Sequence, residues 1–180
     1  MATSHAYLSV YHHRSWFIVF AIHAICNPQA VVSQNPLINN ICHRTTFVDF
    51  CRQALMSDPH SAHADLNMLG TIAGHLTDRN LTVTRTHIQR LLDVETDEEA
   101  EHSLRACFSA YNRVSIHVTH IIMYWTRRKA SMARQEASGA IRRVAECRAA
   151  FTDAAASPLA GNNNVMEKLL RIVVTICDAA

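Results

Sequence analysis

The sequence predicts an all-α fold: an up-down-up-down four-helix bundle preceded by an N-terminal helical hairpin, with cysteines placed for two disulfides. Three observations predict it. The 180 residues include only four Gly and four Pro, too few breakers for a chain of many short strands. Apolar residues recur at intervals of three and four through four long segments beyond residue 60, the pattern of helices that each bury one face. Between those segments the breaks are short, which favours helices that neighbour one another in space. The length suits one domain with a sizeable core.

The first thirty residues contain no Asp or Glu, and His12-His13-Arg14 precedes an apolar run from Trp16 to Cys26 interrupted only by His23. Residues 1–30 read as a secretory signal, with cleavage after Ala24 or Ala30, leaving 31–180 as the mature domain. A membrane anchor is the competing reading, but the run is about half the ~20 residues that span a bilayer. Secretion changes what the cysteines mean. Cys42, Cys51, Cys107, Cys147 and Cys177 remain in the mature chain, and in an oxidising compartment they are first a disulfide framework. Five is odd, so one is free or pairs between two copies, and several connectivities stay open. The easiest closure is local, Cys42 with Cys51.

The hairpin comes first. Leu37, Ile38, Ile41 and Cys42 form a short helical pattern after Pro36, and Phe47, Phe50, Cys51, Ala54 and Leu55 form a second. Ser57-Asp58-Pro59 stops it. Ser61 is the expected N-cap of a long helix through Leu66, Leu69, Ala73 and Leu76. A bend is expected near Asp78-Arg79-Asn80, before β-branched Thr82, Val83 and Thr84. Asn80-Leu81-Thr82 is an N-glycosylation sequon. Thr96-Asp97-Glu98-Glu99 has capping-box spacing. The helix it opens carries Leu104, Cys107, Tyr111, Val114, Val118, Ile121 and Trp125 on one stripe, a core seam.

Arg127-Arg128-Lys129 follows at the C-terminal end, where positive charge is favoured. Ala133, Ala137, Ala140, Val144, Cys147 and Phe151 mark the next helix, expected from Ser131. Cys107 lies early in one helix and Cys147 late in the next, so an antiparallel pair permits a second bridge. Residues 157–162 form the last loop. Val165, Leu169, Leu170, Val173 and Ile176 mark the final helix, with Cys177 as the odd thiol, available for a homodimer.

No catalytic pattern is present: there is no G-x-S-x-G, H-E-x-x-H, Gly-rich phosphate loop or C-x-x-C. His60/His63 and His117/His120 are i,i+3 pairs without a third or fourth ligand, so no metal and no cofactor are expected. Tuning of binding by pH is the other role they suggest. Arginine outnumbers lysine fifteen to two, but acids are interspersed and the net charge is only +2, which argues against a nucleic-acid partner.

Cys42 to Cys51, then Ala54-Leu55-x-Ser57-Asp58-Pro59-x-Ser61-x-x-Ala64-Asp65-Leu66, Cys107-x3-Tyr111, Cys147-x3-Phe151 and Ser157-Pro158-Leu159 occur in order. Together they resemble the plant invertase and pectin methylesterase inhibitor family over about residues 37 to 178. The resemblance implies a helical hairpin on a four-helix bundle and disulfides Cys42–Cys51 and Cys107–Cys147. It also implies a secreted, non-catalytic protein of the cell wall (or, less readily, the vacuole) that occludes the cleft of pectin methylesterase or acid invertase.

Invertase inhibitors of this type carry Pro-Lys-Phe between the second and third bundle helices. Here that region reads Trp125-Thr126-Arg127-Arg128-Lys129-Ala130-Ser131-Met132, without the motif and without the Gly common at that turn. That tilts the expectation to pectin methylesterase, whereas the Ser57-Asp58-Pro59 and Ser157-Pro158-Leu159 blocks look like invertase inhibitor-like members. Trp125, Arg127, Arg128, Lys129 and Arg134 are the candidate partner-binding residues, because Trp and Arg dominate hot spots. The competing reading makes Trp125 core and the basic run a helix cap. A carrier of a small apolar ligand, with room left by the Ala-rich helix, is the alternative of another class.

Overall fold

Helices too short to hold themselves in water need packing or a covalent tie, and the first two elements have both. The computed structural model describes residues 35–153 and 157–180, so the expected secretory segment lies outside the described residues. Helix α1 runs Pro36–His43 and α2 Val48–Met56. The Cys42–Cys51 disulfide joins them with a Cα–Cα distance of 5.5 Å, and both cysteines are fully buried. Asn35 anchors the hairpin from outside. Its Oδ1 accepts from the Leu37 N–H at 3.0 Å, while its Nδ2 donates to the carbonyls of Ser61 and Ala64 at 2.9 and 2.8 Å.

A 3₁₀ turn, Pro59–His63, leads into α3, Leu66–Val94. The expected cap, Ser61, is turned inward instead: it is buried and its hydroxyl donates to the Leu55 carbonyl at the end of α2. That carbonyl is one of the orphans every helix leaves at its C-terminus. Asp65 caps α3, accepting from the Met68 N–H at 2.7 Å. The helix is not interrupted at the bend or pause expected near Asp78. Thr77, Thr82 and Thr86 donate their hydroxyls to the carbonyl four residues back, a bond that lets β-branched threonine stay in a helix. Leu81, Thr84 and Ile88 remain buried on the inner face of one continuous helix.

The remaining helices are α4, Glu98–Thr126, α5, Ala130–Ala149, and α6, Ala160–Cys177. The expected box at the start of α4 moves by one residue. Asp97 is the cap, accepting from Ala100 N–H at 2.8 Å, and the Glu95 carboxylate takes the N–H groups of Thr96 and Asp97. The stripe from Leu104 to Trp125 is buried throughout. In α6, Gly161 and Asn162 fall inside the first turn, where the sequence placed a loop.

Small side chains set how closely α4 meets its neighbours. Cys107 and Cys147 are bonded with Cα atoms 4.2 Å apart. Ser103 donates to the Ala150 carbonyl at 2.8 Å, and Arg113 and His117 reach Glu146 and Glu136. Residue numbers therefore rise on α4 as they fall on α5. The same inverse order joins α3 to α4, with Gly70 under Trp125 and Arg85 over Phe108, and α5 to α6, through Arg148–Glu167 and Arg134–Asp178. Contacts of Asn162 with His87 and Thr84 bring α6 back to α3.

A polar pair lies in the interior between α4 and α6. The Tyr111 hydroxyl donates to Asn163 Oδ1 at 2.9 Å, and both residues are buried. Asn163 Nδ2 has no partner among the described residues. Tyr111→Phe strips the remaining bond from a group already half-satisfied, so it is expected to cost about 1–3 kcal/mol in urea unfolding; an unchanged midpoint would show that the pair holds nothing.

Candidate contact surface

The connection between α4 and α5 spans only Arg127, Arg128 and Lys129, and its backbone follows from what the sequence lacks. Arg128 N–H bonds the Trp125 carbonyl at 3.0 Å and Lys129 N–H bonds the Tyr124 carbonyl at 2.9 Å. These are the two bonds of a Schellman ending, which needs one left-handed residue and usually finds it in Gly. No Gly is within reach. Arg128 takes the position with φ of 55°, the one positive-φ residue other than Gly among the described residues. A side chain there costs about 1–2 kcal/mol.

Arg127, Arg128 and Lys129 are all exposed, and none forms an ion pair among the described residues. The turn thus presents three cations that have no ion-pair partner among the described residues. Beside it lies a groove of about 330 Å³ lined by Asp65, Leu66, Asn67, Trp125, Arg128, Ala130 and Ala180. The structure does not bring all five candidate residues to that surface. Trp125 is only 2% exposed and lies against Gly70 so tightly that a methyl group there would come within 2.3 Å of the indole. Its place is the floor beneath the turn. Arg134 is exposed but committed, with Nε 2.5 Å from Asp178 Oδ1.

The other singled-out residues lie elsewhere. Asn80 sits in mid-helix on α3, half-buried, rather than in a loop. His60 pairs with Asp58, and His117 and His120 both face Glu136 at 2.6 and 3.4 Å across the α4–α5 seam. Among the described residues no group of three metal-ligating side chains is assembled. Ala133, Ala137 and Ala140 of α5 are fully buried, and close helix approach takes up the room they leave.

Cys177 is free and buried. Burial, reinforced by the neighbouring Asp178 charge, pushes its thiol up to about 12, so it is protonated at neutral pH. Burial likewise pushes Tyr111 upward. Both groups keep their protons in the folded state while the unfolded chain loses them, so stability falls as pH rises above about 9. Denaturant titrations at pH 8 and pH 11 should show that loss, and Cys177→Ala should reduce its slope. A midpoint independent of pH would contradict the burial of both groups.

No sequence signal marked the inward turn of Ser61 or the triple role of Asn35. The left-handed Arg128 had one: a turn of a few residues between two long helices with no Gly to supply positive φ.

The geometry has close counterparts. Residues 36–176 match the family model described as plant invertase/pectin methylesterase inhibitor. A pectinesterase inhibitor of Actinidia deliciosa is 31% identical over 52% of this chain and 51% of its own length, so the chain spans about half of that relative. Putative invertase inhibitors of Platanus orientalis and Platanus acerifolia are 28% and 25% identical over 71% and 88% of this chain and 76% and 92% of their own. A crystal structure of a pectin methylesterase inhibitor from Arabidopsis thaliana superposes with a TM-score of 0.59 at 17% identity, covering 80% of this chain and 95% of that one. A mutant form of an Arabidopsis inhibitor reaches a TM-score of 0.68 at 18% identity, with 78% and 95% covered. These two establish likeness of fold.

Proposed function

Because the chain belongs to the plant invertase/pectin methylesterase inhibitor family, we propose that it is a secreted inhibitor of a plant cell-wall carbohydrate-active enzyme. It acts by steric occlusion of the substrate cleft, with pectin methylesterase as the preferred target. The relatives are named as inhibitors rather than enzymes, and membership places this chain with them. Among the described residues no helix is long and apolar enough to cross a membrane.

The observation that carries the reading is the α4–α5 turn. A non-Gly residue held at positive φ is a strained arrangement that the surrounding structure must over-determine, and such strain clusters at binding and active sites. Here it fixes Arg128 at the rim of a groove, between Arg127 and Lys129, and none of the three cations forms an ion pair among the described residues. Preorganised cations of this kind suit a cleft shaped for acidic pectin, because little ordering entropy is left to lose on binding. Acid invertase is the second reading, favoured by the longer coverage of the two Platanus relatives that carry that name.

Substitution at the turn separates function from fold. Arg127→Ala with Arg128→Ala should weaken inhibition at least tenfold (about 1.4 kcal/mol) in a protein that still folds. Arg128→Gly should do so while leaving stability unchanged or raising it by up to ~1 kcal/mol, because Gly adopts positive φ freely. Full inhibition by either folded variant would remove the turn from the interface.

A further inference from the structure

A second groove, of about 370 Å³, lies between the α1–α2 turn and the seam of α5 and α6. Its volume is within the range of small-ligand sites. Arg44 and Arg171 line it, and no acidic residue does. Arg44 forms no ion pair among the described residues, and its guanidinium makes only a long 3.4 Å contact there, to the Asp178 carbonyl oxygen. Arg171 spends Nε and Nη2 on Glu167, which leaves Nη1 for a ligand. The nearby acids are already occupied. Glu167 is shared by Arg148 and Arg171, which hold its carboxyl below the usual range, and Asp178 carries Arg134.

The rest of the lining narrows the ligand. Thr46, Ser138 and Thr175 supply hydroxyls, and Phe47 and Ile141 supply an apolar floor. A bare anion would use the guanidiniums and leave that floor uncovered. A neutral sugar would use the floor and the hydroxyls but leave the cations unanswered. A polyhydroxylated ring bearing a carboxylate matches all three, since the Arg44 guanidinium can take a carboxylate through two parallel bonds and Arg171 Nη1 can add a single one. Nucleic acid would need a longer basic track than two arginines.

We infer that this groove binds a short uronate oligosaccharide, its carboxylates held by Arg44 and Arg171 and a sugar face laid on Phe47 and Ile141. The site is on the flank of the bundle and does not depend on the inhibitory reading of the α4–α5 turn.

Titration of the isotopically labelled protein with trigalacturonate, its methyl ester and sulfate, at matched ionic strength, tests it. The acid trimer should shift the amides of Thr46, Ser138 and Thr175. Its affinity should exceed that of the ester and of sulfate at least tenfold, and fall at least fivefold in Arg44→Ala and in Arg171→Gln. Both side chains are exposed, so the variants should fold. Absence of binding at millimolar trimer, equal binding of ester or sulfate, or unchanged affinity in both variants would each overturn the assignment.

Discussion

Replacing Trp125 with Ala is expected to destabilise the protein by about 3–5 kcal/mol, the range for deleting a large aromatic from a packed interior. The size follows from its setting. The indole closes the end of the α4 stripe, lies against Gly70 of α3, and is 2% exposed. Its Nε1 is buried without a partner among the described residues, so removing that orphan donor offsets part of the loss. A double-mutant cycle identifies the contact itself. Gly70→Ala alone adds a methyl within 2.3 Å of the ring and should destabilise by about 1–3 kcal/mol. In the Trp125→Ala background the same methyl enters vacated space, and helix propensity favours Ala over Gly by about 1 kcal/mol. The sign of the Gly70 effect should therefore reverse. Additive effects, measured by denaturant unfolding, would place Trp125 somewhere other than against Gly70.

The second large effect belongs to the long-range disulfide. Cys107→Ala with Cys147→Ala opens a loop of 40 residues, for which chain entropy predicts a loss of roughly 4 kcal/mol. Opening Cys42–Cys51, a separation of 9, should cost roughly 2.5 kcal/mol on the same argument. For a domain of this size the first change corresponds to a fall in Tm of roughly 8–16 °C. Calorimetry of the two double variants checks the order. A larger loss from the hairpin bridge would mean that the bond acts through the native packing of α1 and α2, not through the unfolded chain.

The architecture was legible because it rests on periodicity. The stripe from Leu104 to Trp125 has a spacing that only a helix can bury on one side, and it is buried throughout. Cys107 and Cys147 could be placed opposite each other because they stand near the start and the end of consecutive periodic segments. The errors sit where a polar side chain had two partners to choose from. Ser61 reads as a cap until the Leu55 carbonyl at the end of α2 is known as its partner, and that carbonyl comes close only after the chain turns at Pro59. The threonines after Asp78 read as a break because propensity alone disfavours them. The Thr82 and Thr86 hydroxyls instead bond the preceding turn, and Leu81 and Ile88 hold the helix to the core.

The candidate surface was legible in composition but not in orientation. The basic run Arg127-Arg128-Lys129 is evident in the sequence, and so is the want of Gly beside it. That Trp125 points inward depends on Gly70, 55 residues away in the chain, and no local pattern carries that. The groove between the α1–α2 turn and the α5–α6 seam was invisible for the same reason. Its two arginines, Arg44 and Arg171, come from opposite ends of the described chain.

The central claim is that this bundle blocks a carbohydrate-active enzyme of the plant cell wall through the α4–α5 turn. The most direct test incubates the oxidised mature protein with purified plant pectin methylesterase and, separately, with purified acid invertase, then follows residual activity against inhibitor concentration. Saturable loss of pectin methylesterase activity is expected, and Arg127→Ala with Arg128→Ala should relieve it at least tenfold. Full activity of both enzymes in the presence of the folded, disulfide-bonded protein would contradict it.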